Sequence, residues 1–183
     1  MGNTYDVIMD RRTTHFYTEQ EVPEELLMRA LEAAIRAPNH KLTNPWRFIR
    51  VGKETRPKVT ELGVNLKCGD EAPEAHRQRV YKKLSGPAEL IVVVQALDEN
   101  EMRRKEDYAS VACAIQNMSL VLWEEGVGSK WSTGKVTRHE QTYEMCGVDP
   151  ETEEIVGFIW MGYPLQTGKS PRKPLEEVYR QLP

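Results

Sequence analysis

The sequence reads as an α+β protein, on three observations. Leu90-Ile91-Val92-Val93-Val94 is an unbroken, mostly β-branched run, the pattern of a strand covered on both faces. Asp107 to Glu125 forms a long helical stretch that is apolar nearly all round, with Val111, Ala112, Ile115, Met118, Ser119 and Leu122 on one side and Ala109, Cys113, Ala114, Leu120 and Val121 on the other. Helical and extended segments precede, separate and follow one another without regular β-α-β alternation, so a doubly wound parallel sheet is not indicated.

In chain order, Thr4 to Arg11 is expected as a first short helix, with Val7 and Ile8 turned inward. A second starts at Val22-Pro23-Glu24-Glu25. Proline suits the first helical turn, and the two glutamates suit the positive end of the helix dipole. Leu27, Ala30, Leu31 and Ala34 then recur at helical spacing. Pro38 ends this helix just after Arg36, which is placed in its last turn. Arg47 to Val51 reads as a strand, with Trp46 as an aromatic at its edge and in the core. Thr55 to Leu66 and Pro73 to Leu84 read as helices, the second polar enough to serve as a flap. Gly126 and Gly128 close the long helix. Ile155 to Met161 is a further central strand, and Glu176, Glu177 and Tyr179 belong to a closing helical turn. In so short a chain, part of the long helix is expected to be covered by a second subunit.

A length of 183 residues suits one domain, spanning 1–183, and 39% hydrophobic residues suffice for a core. The net charge of -3 gives no support to general nucleic-acid binding. No apolar run approaches membrane-spanning length, and the N-terminus lacks the apolar core of a signal peptide, so a cytoplasmic protein is expected. Met1-Gly2 does not read as a myristoylation signal, because Asp6 stands where that motif needs Ser or Thr. Cys68, Cys113 and Cys146 are widely spaced and odd in number, which argues against a disulfide framework or a zinc site.

Familiar catalytic constellations are missing. There is no Gly-x-Ser-x-Gly elbow, no His-Glu-x-x-His and no Gly-x-Gly-x-x-Gly. Gly126-Val127-Gly128 follows a helix and lacks the third glycine. The histidines at 15, 40, 76 and 139 are isolated, without metal-ligand spacing. What remains is basic residues at both ends: Arg11-Arg12-Thr13, and Lys169-Ser170-Pro171-Arg172-Lys173. Each pairs cations with a hydroxyl. They meet on one anion if the fold joins the ends of the chain, Arg supplying a planar fork and Lys a point charge. On charge alone they read equally as solvated termini.

Between these ends lie Arg36-Ala37-Pro38-Asn39-His40-Lys41, Pro45-Trp46-Arg47-Phe48, Ser129-Lys130-Trp131-Ser132-Thr133-Gly134 and Ile155 to Pro164. This ordered set, over nearly the whole chain, resembles the nitroreductase family of FMN-dependent oxidoreductases, most of all its short, YdjA-like members. The resemblance implies a central, mostly antiparallel sheet flanked by helices and an intertwined homodimer with FMN at the subunit interface. NAD(P)H is the implied co-substrate. Nitroaromatics, quinones or similar electron-poor small molecules are the implied acceptors, reduced by ping-pong hydride transfer through the flavin N5 with no catalytic side chain. By the same resemblance, Arg11, Arg12 and Thr13 contact the ribityl phosphate and pyrimidine edge, with Thr13 keeping the hydroxyl of the family's serine. Arg36 and His40 reach the FMN of the other subunit. Trp131, Ser132 and Thr133 pass under the flavin ring, with Ser132 where some relatives carry Arg. Arg172 binds the phosphate, with Lys169 a weaker candidate. Arg12 or the amides of 131–134 are expected to meet the charge of the reduced flavin. Read from the residues alone, Arg36 equally caps its helix and His40 is equally a loop histidine. Two other functions fit the same residues: reduction of one specific metabolite, such as an activated alkene or small aldehyde, and an FMN carrier or sensor without steady turnover.

Overall fold

A computed structural model describes residues 3–183. The Met1-Gly2 terminus weighed above for acylation lies outside them. Six α-helices surround one four-stranded sheet among the described residues. The helices are α1 (Thr4–Asp10), α2 (Glu24–Ala34), α3 (Thr55–Cys68), α4 (Glu74–Ser85), α5 (Glu101–Glu124) and α6 (Glu140–Cys146). The strands are β1 (Trp46–Arg50), β2 (Glu89–Ala96), β3 (Gly128–Ser132) and β4 (Glu153–Gly162), in the order β1-β2-β4-β3. Every pairing is antiparallel, so the sheet is wholly rather than mostly so.

The β-branched run sits in the middle of this sheet because both its faces are covered. On one face Ile91, Val93, Ile159 and Met161 pack with Leu27, Ala30, Ala34, Val111, Ile115, Met118 and Leu122 of α2 and α5. On the other, Leu90, Val92, Val94, Ile155, Phe158 and Trp160 meet Val59 of α3 and the region of α6. The β2–β4 register slips between Val93 and Val94, which pair with Gly157 and Ile155, leaving Val156 over as a bulge.

Several expectations are corrected. The long helix starts at Glu101, not Asp107, because its first turn is polar and carries no apolar stripe to mark it. Its start signal is Asn100, whose side chain accepts from the Met102 and Arg103 amides at 2.9 and 3.2 Å. Within one chain the helix is covered on one side only: Ala109, Cys113 and Gln116 are exposed and Tyr108 is 47% exposed, on the helix expected to be covered in part by a second subunit. Ile8 is also exposed, and α1 buries none of its residues fully. Arg36 lies beyond the last residue of α2, in a turn whose amide donates to the Ala33 carbonyl. Strand β3 and helix α6 were not foreseen at all.

Candidate functional site

Edge strand β3 organises the candidate site. Thr13 bridges Ser129 in parallel, and the Thr14 amide donates to the Ser129 carbonyl at 3.0 Å. The segment after α1 thus runs beside β3 as an added edge. Close approach requires Gly128, where a Cβ would stand 2.0 Å from the buried Thr14 Oγ1. Farther along, Tyr17 bridges Pro164 and donates from its hydroxyl to the Thr14 carbonyl at 2.8 Å. Burial pushes that phenol well above its usual range.

This edge sets Arg11 and Arg12 at the end of α1. The Arg12 guanidinium donates to the carbonyls of Met9 and Arg11 at 2.5 and 2.9 Å. The C-terminal tail returns here: Thr167 to Pro171 line a shallow cleft of about 710 Å³ together with Asp10, Arg12 and Trp123. Arg172 comes close enough to Arg11 to act on its titration. Burial chiefly lowers the Arg11 pKa, and then the charges of Arg172 and Arg12 lower it further. Among the described residues, none of these guanidinium groups has a carboxylate partner at ion-pair distance. Lys169 lines the cleft and is exposed, and Lys173 is paired to Glu177 at 3.5 Å.

Trp131 and Ser132 lie in β3, and Thr133 is exposed just beyond it. The Trp131 indole donates to the carbonyl of the bulged Val156 at 3.3 Å and lies over Gly157, where a Cβ would stand 2.2 Å from Nε1. Ser132 Oγ accepts from Trp160 Nε1 at 2.8 Å.

Arg36 and His40 stand apart. Both are exposed, and the neighbouring Asn39 side chain bonds Ser110 of α5, whereas Arg12 shares its cleft with Trp123, roughly 20 Å farther along the same helix. His40 begins a tight loop in which Lys41, Leu42 and Asn44 all take positive φ (58°, 53° and 48°). Such backbone costs non-glycine residues about 1–2 kcal/mol each. It is held by Asn39, which accepts from the Asn44 amide at 2.7 Å and donates to Ser110 Oγ at 3.2 Å. Thr43 adds a bond to Asp107 Oδ1 at 2.5 Å. The site residues therefore form two groups within one chain.

Sequence reasoning missed three features. The first is this anchor, whose legible signal was Asp107 and Ser110, polar and buried on an otherwise apolar helix. The second is a cationic group at the β3 edge. Lys130 has its pKa lowered by burial and then by Lys83 and Lys67, and His15 by burial and then by Lys130 and Lys83. Lys83 also lies 5.5 Å from the Phe16 ring centroid. The third is Arg56, whose guanidinium lies 5.0 Å from the Trp160 ring centroid. Neither had a sequence signal, because the partners come from separate elements.

The chain is thus an α+β protein with an all-antiparallel sheet, helices on both of its faces, and a C-terminal tail that returns to the arginines following α1. Residues 8–163 match the nitroreductase family, and the chain belongs to it. The Bacillus subtilis candidate NAD(P)H nitroreductase YfhC is 30% identical over 181 residues, covering 97% of this chain and 93% of that protein. The crystal structure of a nitroreductase-like family protein from Bacillus cereus superposes with a TM-score of 0.85 at 27% identity, over 100% of this chain and 97% of that one. A candidate nitroreductase from Desulfovibrio desulfuricans, solved in complex with FMN, shares the fold with a TM-score of 0.79 at 24% identity, over 100% and 98% of the two chains.

Proposed function

We propose that this chain is an FMN-dependent oxidoreductase, a single domain that works as a homodimer, takes electrons from NAD(P)H and reduces nitroaromatics, quinones or similar electron-poor small molecules. The observation that carries the reading is the return of the C-terminal tail, residues 167–171, to the cleft lined by Arg12, with the charge of Arg172 acting on Arg11 and no carboxylate at ion-pair distance from these arginines among the described residues. That donor set suits a phosphate dianion, and a half-buried guanidinium beside other cations is stabilised by one. When bound, FMN supplies the hydride-accepting and hydride-donating centre.

The residues of the chain then hold and tune it. Arg11 and Arg172 anchor the phosphate, with Thr13 adding a hydroxyl. Trp131, Ser132 and Thr133 support the ring from the β3 edge. Arg12 and the Lys83–Lys130 pair, beside a His15 held in its neutral form by burial and these lysines, supply positive potential where negative charge gathers on reduction. Arg36 and His40, remote from this cluster in one chain, reach the cofactor of the partner subunit. No side-chain acid is needed, since solvent delivers protons to an open site.

The test is spectroscopic and kinetic. Purified protein supplied with FMN should be yellow, with an oxidised-flavin absorbance that NAD(P)H bleaches and a quinone or nitroaromatic restores. Donor and acceptor share one open face, so double-reciprocal plots at fixed acceptor concentrations should be parallel. Intersecting lines would rule out the shared site, and a protein that takes up no FMN would end the reading.

A further inference from the structure

We propose that Trp160 is a positioning residue that makes the Ser132 hydroxyl an outward hydrogen-bond donor to the cofactor, with Arg56 holding and polarising the indole. This rests on the placement of the 131–134 segment under the flavin ring.

A serine hydroxyl carries one proton and two acceptor lone pairs, whereas an indole N–H only donates. The 2.8 Å bond from Trp160 Nε1 therefore occupies a lone pair of Ser132 Oγ and excludes the hydroxyl proton from that direction. No acceptor for the proton is present among the described residues. Ser132 ends edge strand β3 and is half-buried, so its proton is free to meet a group bound at that edge. An oxygen or ring-nitrogen acceptor of the isoalloxazine is the matching group. The carrier of the N–H is rigid: Trp160 is 4% exposed and makes an edge contact with Phe158, ring centroids 5.8 Å apart.

Arg56 completes the chain of contacts. It enters from the first turn of α3, is fixed by a bond from Nη2 to the Pro87 carbonyl at 2.9 Å, and stacks its cation 5.0 Å from the Trp160 centroid. Its Nε is buried without a partner, it has no ion pair, and burial lowers its pKa. For stability alone this is a poor site for a guanidinium. A cation over the indole face draws electron density from the ring and strengthens its N–H as a donor. Hydrogen bonds in series polarise one another, so Ser132 in turn donates more strongly. Reduction places negative charge on the flavin, and a stronger donor favours the reduced cofactor over the oxidised one.

Trp160→Phe tests this, because it removes the N–H together with the five-membered ring and keeps a benzene ring in the core, and the Ser132→Ala background separates the lost N–H from the lost packing. The affinity for reduced FMN relative to oxidised FMN, read from the midpoint potentials of free and bound cofactor, should fall about threefold to tenfold. Arg56→Met should lower it in the same direction by less. Neither substitution should change the ratio in a Ser132→Ala background. In the cofactor-free protein, the Trp160 indole N–H should exchange faster with solvent in Ser132→Ala than in wild type. An unchanged ratio in Trp160→Phe, or an equal shift with and without Ser132, makes Trp160 a packing residue and overturns the inference while leaving FMN binding intact. Should Trp160→Phe be isolated unfolded, the Arg56→Met and Ser132→Ala cycle decides by the same criterion. Wild-type protein that binds no FMN overturns the inference together with the functional reading.

Discussion

Arg172 hydrogen-bonds only within its own tail, to the Ser170 side chain and to the Ser170 and Pro171 carbonyls. Nothing there competes with an arriving phosphate. A charge-assisted bond to that phosphate contributes about 1.5–3 kcal/mol. Arg172→Ala should accordingly weaken FMN binding roughly tenfold to a hundredfold by the same measure, and riboflavin binding hardly at all, since riboflavin has no phosphate. Arg11→Ala should show the same contrast. Lys169→Ala should do less, because Lys169 is an exposed point charge rather than a planar fork. Titrating both flavins against each variant checks this, and equal losses for FMN and riboflavin would place the arginines on the ring instead. At this scale the sequence was legible where neighbours in the chain are neighbours in space. Arg11-Arg12-Thr13 announced itself as a cluster. Arg56, Trp160 and Ser132, or His15, Lys83 and Lys130, are ordinary residues until the sheet and α3 bring them together.

At the scale of elements, hydrophobic pattern marked whatever is buried on both sides or along one stripe. β2, β4 and α2 fall in this class. It failed where burial is one-sided or the segment polar. Strand β3, Gly128 to Ser132, has neither a β-branched run nor clean alternation, and it forms because β4 offers it a free edge. The start of α5 depends on one cap. Asn100→Ala should cost about 1 kcal/mol, read in urea unfolding, without altering FMN affinity. Asn39→Ala is the opposite case. It removes the bonds that hold a left-handed loop against α5, at a cost of about 1–3 kcal/mol. Because that loop carries His40, FMN affinity should fall along with stability. Full FMN affinity in a destabilised Asn39→Ala protein would detach the loop from the site.

At the scale of the whole molecule, one chain leaves too much apolar surface open. Tyr5, Ile8 and Met9 of α1 are 49–64% exposed, and Leu175, Val178, Tyr179 and Leu182 of the tail are 62–69% exposed. Tyr108 on the uncovered side of α5 adds to them. Scattered exposed apolar residues are ordinary, but a helix and a tail that each present several are interaction surfaces. The candidate site has the same incompleteness. Arg36 and His40 lie along α5 from the Arg12 cleft, so in the proposed homodimer each chain would supply two partial sites rather than one whole site. In the proposed homodimer, a twofold axis would cover the apolar helices and set the Arg36 group of one subunit against the Arg11 group of the other, twice. An obligate contact of this kind buries on the order of 2,000 Å² or more. Light scattering should therefore give twice the 21.1 kDa mass of the chain. Arg36→Ala should weaken FMN binding in the dimer. A mixed dimer of Arg36→Ala and Arg11→Ala chains should keep one intact site, with half the tight FMN stoichiometry of wild type. If the mixed dimer instead held no tight FMN, or a stable monomer held it fully, both groups would have to come from the same subunit.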